Sequence, residues 1–84
     1  MQVKYKKQFE KDFKKLAPKI KKHFFERLEL YLNNKFDPAL NNHSVDRAFP
    51  GARSFNVTGD YRALFEESED TVTLITIGTH SELY

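Results

Sequence analysis

The hydrophobic period of the chain changes once, at Asp37-Pro38, and that change restricts the fold more than any other feature. Before it, apolar residues recur at helical spacing. Phe9, Phe13 and Leu16 fall at i, i+4 and i+7, with Lys7, Lys11, Lys14 and Lys15 filling much of the remaining surface, so residues 7–16 form an amphipathic helix. Pro18 ends that helix and is welcome in the first turn of the next, where its missing N–H is not needed. Ile20, Phe24, Leu28 and Tyr31 or Leu32 carry the second helix to Asn33-Asn34, a C-terminal stop. So short a link folds the two helices into a hairpin.

Beyond Asp37-Pro38 the pattern alternates. Phe55 and Val57 alternate with Ser54 and Asn56; Thr58-Gly59-Asp60 offers a tight turn; Tyr61, Ala63 and Phe65 then alternate with Arg62, Leu64 and Glu66. Glu67-Ser68-Glu69-Asp70 makes a second, acidic turn before a strand from Thr71 to Ile77, whose mixed apolar pattern implies a central position in the sheet. Val3 and Tyr5 can add a short N-terminal strand. The expectation is an α+β fold, with an N-terminal helical hairpin packed on a three- to four-stranded antiparallel sheet, as one domain spanning residues 1–84. At 84 residues such a chain buries only about 60–65% of its unfolded surface, so its eight Phe and four Tyr carry much of the core.

Composition narrows the function classes. The absence of Cys removes disulfides and thiolate zinc sites. No segment approaches the roughly 18 apolar residues of a membrane span, and Met1-Gln2-Val3-Lys4 has no signal-like apolar region, which together predict a soluble cytoplasmic protein. Charge is segregated. Residues 1–35 hold eleven Lys/Arg against four Asp/Glu, whereas residues 36–84 hold three against eight. A basic half on a small domain suits a polyanion, with Lys11, Lys14 and Lys15 as phosphate contacts, although lysines on an amphipathic helix are also an ordinary solvated face.

The candidate chemistry sits mainly in the second half. Gly78-Thr79-His80-Ser81-Glu82-Leu83-Tyr84 places an imidazole and a phenol just beyond the most apolar run, where both can project from a rigid strand end. Asn41-Asn42-His43-Ser44 supplies a second imidazole, and the segment from Arg53 to Arg62 two guanidiniums. His23 lies among helical lysines and reads as a surface residue. His23, His43 and His80 lack tight ligand spacing, so no metal site and no cofactor are expected.

Phe9-x-x-x-Phe13-Lys14-Lys15-Leu16, Leu40-Asn41-Asn42-His43, Gly51-x-Arg53-Ser54, Gly59-Asp60-Tyr61-Arg62 and Gly78-Thr79-His80-x-x-Leu83-Tyr84 occur in an order that resembles the RelE/ParE toxin superfamily, and within it the YafQ-like branch. The terminal Gly-Thr-His, with an aromatic four residues after the His, is the most specific part. The resemblance implies a type II toxin that cuts mRNA in the ribosomal A site without metal and is held inactive by a cognate antitoxin, expected to be acidic. His80 matches the family's C-terminal catalytic His and is assigned general acid. His43 and Asp60 match a second His and a hairpin carboxylate, either of which can act as base or orient one. Tyr84 occupies the terminal aromatic position, suited to stacking on a base. Asn56 stands where the branch usually carries a further His, and it can hydrogen-bond to RNA but cannot exchange a proton near neutrality.

The residue types fit that reaction. Metal-free RNA cleavage needs a base for the ribose 2′-OH, a cation for the phosphorane and an acid for the departing 5′-oxygen. Imidazole, with an ordinary pKa of about 6.5, serves either proton role, and Arg53 or Arg62 can face the non-bridging oxygens. Two other classes remain open: a ParE-like toxin that inhibits DNA gyrase without RNA chemistry, and a catalytically silent RNA- or partner-binding module.

Overall fold

The computed structural model describes residues 1–84. Strand β1 (Gln2–Tyr5) leads into helix α1 (Lys7–Lys14) and helix α2 (Pro18–Asn33). A single 3-10 turn (Pro38–Leu40) precedes β2 (His43–Ser44), β3 (Arg53–Asn56), β4 (Tyr61–Glu67), β5 (Thr71–Thr79) and a final one-turn helix α3 (His80–Leu83). The helical hairpin forms as its sequence requires. Ala17, forced out of the helical region by the following proline ring, is extended at φ −61°, ψ 147°, and Pro18 opens α2.

The sheet is larger than expected. It has five strands in the order β1-β5-β4-β3-β2, and β1 runs parallel to β5 while every other pair is antiparallel. Val3 lies beside Val72 and Tyr5 beside Leu74 in that parallel ladder. A parallel neighbour requires a long crossover, which everything between β1 and β5 supplies; four residues of alternating pattern carry no record of direction. β2 has only two residues, too few for any period to appear.

β5 is interior, flanked by β1 and β4, and its mixed pattern has a geometric cause. Leu74 and Ile77 are three residues apart, so a regular strand would send them to opposite faces. The register slips between Leu64 and Phe65, where Leu64 pairs with Thr76 and Phe65 with Leu74. That bulge lets Leu74 and Ile77 both join the helix-side core, while Ile75 packs on the other face.

The helix-side core gathers Phe9, Phe24, Leu28, Tyr31 and Leu40 against Phe55, Val57, Ala63, Phe65, Val72, Leu74 and Ile77. Ring contacts run through it, Phe9–Phe24 at 5.2 Å, Phe24–Phe55 at 6.2 Å and Tyr31–Phe65 at 5.0 Å between centroids. Each such pair contributes about 0.5–1.5 kcal/mol beyond area burial. The buried Tyr31 hydroxyl donates to Glu67, which also accepts from Lys35 Nζ at 2.7 Å, and Thr76 Oγ1 donates to Asp12 at 2.7 Å, so α2 and α1 are both tied to the sheet. The opposite face is nearly bare. Only Val45, Ala52 and Leu64 form a cluster there, with Phe49, Ile75 and Leu83 against it.

Candidate active site

α3 is built by its own residues. Thr79 ends β5 in extended conformation and caps the helix: its Oγ1 accepts from the Glu82 N–H at 3.3 Å, and Glu82 Oε1 accepts from the Thr79 N–H at 2.8 Å. This reciprocal pair is a capping box, and its Thr-x-x-Glu pattern was present in the sequence as the signal for a helix that periodicity could not show. The Thr79 backbone N–H, and then its hydroxyl, hold the Glu82 carboxyl below the ordinary carboxylate value. Gly78 packs closely beneath this turn: a methyl there would lie 3.3 Å from Glu82 Oε1, a tight approach that the carboxylate would have to yield to, and 3.5 Å from Leu83 Cδ2, an ordinary contact. With α3 closed, the His80 and Tyr84 rings meet at 4.8 Å between centroids, tilted by 50°.

The second imidazole is placed by distant partners. Asn41 adopts a left-handed conformation, φ 47°, which asparagine tolerates better than most residues, and this turns its carbonyl onto His43 Nδ1 at 2.7 Å. A carbonyl only accepts, so the neutral His43 ring carries its proton on Nδ1 and leaves the Nε2 lone pair free. Arg53 brackets this loop: its Nε donates to Asn42 Oδ1 at 2.8 Å, while Asn42 Nδ2 donates to the Lys35 carbonyl at 2.9 Å.

Arg62 supplies the positive charge. Its Nη1 donates to the carbonyls of Thr58, Gly59 and Tyr61 at 3.0–3.1 Å, which leaves its other N–H groups for a ligand. Asn41, His43, Val45, Arg62, His80 and Tyr84 together line an open groove of about 330 Å³. Two imidazoles, a guanidinium and a phenol thus converge from three separate segments, the β2 loop, β4 and α3. No three His, Asp or Glu side chains come close enough to share a metal ion.

The other candidates lie elsewhere. Asp60 is exposed in the β3–β4 turn, and what it contributes is its carbonyl, which accepts from the His80 N–H at 3.0 Å; its carboxylate does not line the groove. Arg53 is on the helix-side face, with Phe55, and is engaged by Asn42. Strand parity, readable from sequence, separates the two arginines: Arg53 shares the parity of core residue Phe55, whereas Arg62 alternates against Ala63 and Phe65. Asn56 sits opposite Arg62 in the ladder with its side-chain oxygen unpartnered, but off the groove wall. Lys11, Lys14 and Lys15 are exposed on or just after α1; Lys15 lines an adjoining cleft with Tyr61, Gly78 and Glu82.

Comparison with known proteins places this architecture. YafQ from E. coli strain BL21(DE3) superposes with a TM-score of 0.83 at 21% identity, covering 98% of this chain and 96% of that one. YafQ in the E. coli DinJ-YafQ complex gives 0.77 at 20% identity over the same shares, and a YoeB/ParE toxin from Agrobacterium tumefaciens gives 0.79 at 12% identity, covering 95% of this chain and 99% of that one. At these identities the likeness establishes the fold. No curated protein matches the sequence. The family model described as "Bacterial toxin of type II toxin-antitoxin system, YafQ" matches residues 1–84, the whole chain. The chain therefore belongs to the YafQ family of bacterial type II toxins.

Proposed function

We propose that this toxin is an endoribonuclease that cleaves mRNA in the ribosomal A site by attack of the ribose 2′-OH, and that a cognate acidic antitoxin neutralises it in the cytoplasm. The observation that carries the reading is the convergence of His43, Arg62, His80 and Tyr84 on one groove. In the neutral His43 ring, whose proton the Asn41 carbonyl holds on Nδ1, Nε2 takes the 2′-OH proton. The 2′-oxygen attacks phosphorus, and the free N–H groups of Arg62 face the negative charge that grows on the non-bridging oxygens. Protonated His80 gives its proton to the departing 5′-oxygen, leaving a 2′,3′-cyclic phosphate and a 5′-hydroxyl. Tyr84, packed at a tilt against His80, steadies that ring and offers its other face to a base.

The lysines of the first helix do not line the groove, which leaves them free to contact the phosphates of a larger RNA body such as the ribosome. Affinity should then fall steeply with salt, with a log–log slope of about −0.7 per single-strand phosphate contact, and charge reversal of Lys11, Lys14 and Lys15 should flatten it. The deciding experiment uses programmed ribosomes with two RNAs, one natural and one carrying sulfur at the scissile 5′ position. A thiolate leaves without protonation. His80→Ala should therefore lose cleavage of the natural RNA and recover it on the sulfur-substituted one, whereas His43→Ala should recover on neither. Cleavage of natural RNA by both variants near the wild-type rate, or inhibition of DNA gyrase in place of cleavage, overturns the proposal.

A further inference from the structure

The groove does not end at Tyr84. A second cleft of about 290 Å³, lined by Ser44, Val45, Asp46, Arg47, Ala48 and Tyr84, adjoins it, with Val45 and Tyr84 as the common wall. No other cleft of the molecule shares a residue with the groove. Tyr84 packs on one side against His80 and is still 45% exposed. The 5′-oxygen that His80 protonates belongs to the nucleotide on the 3′ side of the cut, so that nucleotide starts beside His80 and its base meets the far side of Tyr84.

The opposite wall is a loop held by its own hydrogen bonds. The Val45 carbonyl accepts from the Ala48 and Phe49 N–H groups at 3.0 and 2.9 Å, Ser44 Oγ accepts from the Asp46 N–H at 3.2 Å, and Asp46 Oδ1 accepts from the Gly51 N–H at 2.6 Å. Phe49 anchors the loop on the cluster of Val45, Ala52 and Leu64. Asp46 thus closes the loop with one carboxylate oxygen and keeps Oδ2 free. Arg47, Arg53 and Arg62 are the only Lys or Arg residues after Lys35. Arg62 lies in the groove and Arg53 holds Asn42, whereas Arg47 is exposed and forms no ion pair, although eight carboxylates share its half of the chain. The cleft therefore offers a ring face to stack on, a free acceptor for a base amine and a free cation for a phosphate, which is the chemistry of a nucleotide subsite.

We propose that this cleft binds the nucleotide on the 3′ side of the cut and selects adenine or cytosine, the bases with an amine at the purine 6 or pyrimidine 4 position. The base lies on Tyr84, Asp46 Oδ2 accepts from its amine, and Arg47 pairs with the next phosphate. A carboxylate accepts and cannot donate, so it favours that amine over the carbonyl of hypoxanthine or uracil at the same ring position. The proposal rests on the ribonuclease reading above and adds its sequence preference.

The test uses programmed ribosomes with an empty A site and RNAs that differ only at the nucleotide 3′ to the mapped cut, paired as adenine against hypoxanthine and cytosine against uracil. The wild type should cut the amine member of each pair with a kcat/KM about tenfold higher. Asp46→Asn keeps an oxygen for the Gly51 N–H and turns the other arm into a donor, so the preference should invert toward hypoxanthine and uracil while the melting temperature stays unchanged. Arg47→Gln should lower kcat/KM about fivefold for all four RNAs alike and leave the preference in place, as loss of a phosphate contact does. Cutting of both members of each pair within about twofold by the wild type overturns the subsite. So does a preference that survives Asp46→Asn, or one that follows the nucleotide on the 5′ side. In each of these outcomes the ribonuclease reading stands. Failure of the wild type to cut any of the four RNAs overturns that reading, and the subsite falls with it.

Discussion

The two imidazoles of the groove are held by opposite kinds of structure. His80 is placed mainly by residues within four positions of itself: Gly78 leaves room for the close turn, Thr79 and Glu82 cap it, and the Tyr84 ring packs against the imidazole, with one backbone bond from further away, the His80 N–H to the Asp60 carbonyl. His43 is placed across the fold, by a bracket in which Arg53 of β3 holds Asn42 and Asn42 holds Lys35 beyond the end of α2. One wall is a local motif attached to a strand end, and the other is a loop held by tertiary contacts. The lesson is that the His80 side of the groove can loosen while the fold stays intact, whereas the His43 side loosens only when packing between α2, the loop and β3 is disturbed.

Removing the imidazole itself should have the largest effect. His80→Ala should lower single-turnover cleavage by roughly 10² to 10⁴, the range of a positioned acid or base, with RNA binding measured separately and little changed. Next comes the long-range wall. Arg53→Met removes the bracket on Asn42 without touching the groove, and misplacement of His43 should cost cleavage up to about 10²-fold. A loss in Arg53→Met that appears only in RNA affinity would assign Arg53 to phosphate contact instead.

The local wall should respond less. Thr79→Ala removes a helix cap worth about 1 kcal/mol, which corresponds to roughly a fivefold fall in cleavage, with the global melting temperature unchanged and the ring-current shift between His80 and Tyr84 reduced. The two networks share no hydrogen-bond partner, so Thr79→Ala and Arg53→Met should add to within about 0.5 kcal/mol. A coupling above about 1 kcal/mol in the double variant would break the distinction between the walls.

The smallest effect is set by pH. Glu82 has its carboxyl pKa lowered in the folded chain, so its contribution to α3 is fully present above the ordinary carboxylate value and is lost as pH falls through the lowered one. The Arg53–Asn42–Lys35 bracket contains no carboxylate. On acidification, the Thr79 amide shift should therefore move before the Asn42 side-chain amide does. Simultaneous movement of both would mean that the walls open together.

Much of this was legible in the residues. The hairpin of α1 and α2 follows from the spacing of Phe9, Phe13, Phe24 and Leu28 and from Pro18; the β3–β4 hairpin follows from the alternation around Gly59; and the pairing of His80 with Tyr84 follows from their four-residue separation. The Thr79-x-x-Glu82 cap and the parity that divides Arg53 from Arg62 were equally present. These are local properties, because repeat period, capping pattern and strand parity are set by backbone geometry within a few residues.

The tertiary structure decided what local geometry does not encode. It set β1 parallel to β5, slipped the register at Leu64/Phe65 so that Leu74 and Ile77 share a face, and turned the Asn41 carbonyl onto His43. It brought only the carbonyl of Asp60 to His80, and it closed the groove from segments up to about forty residues apart in the chain. The physical reason is that such contacts stand on the packing of a whole core, in which a strand's direction or a loop's reach depends on every element that must be buried with it, and no single window of sequence contains that information.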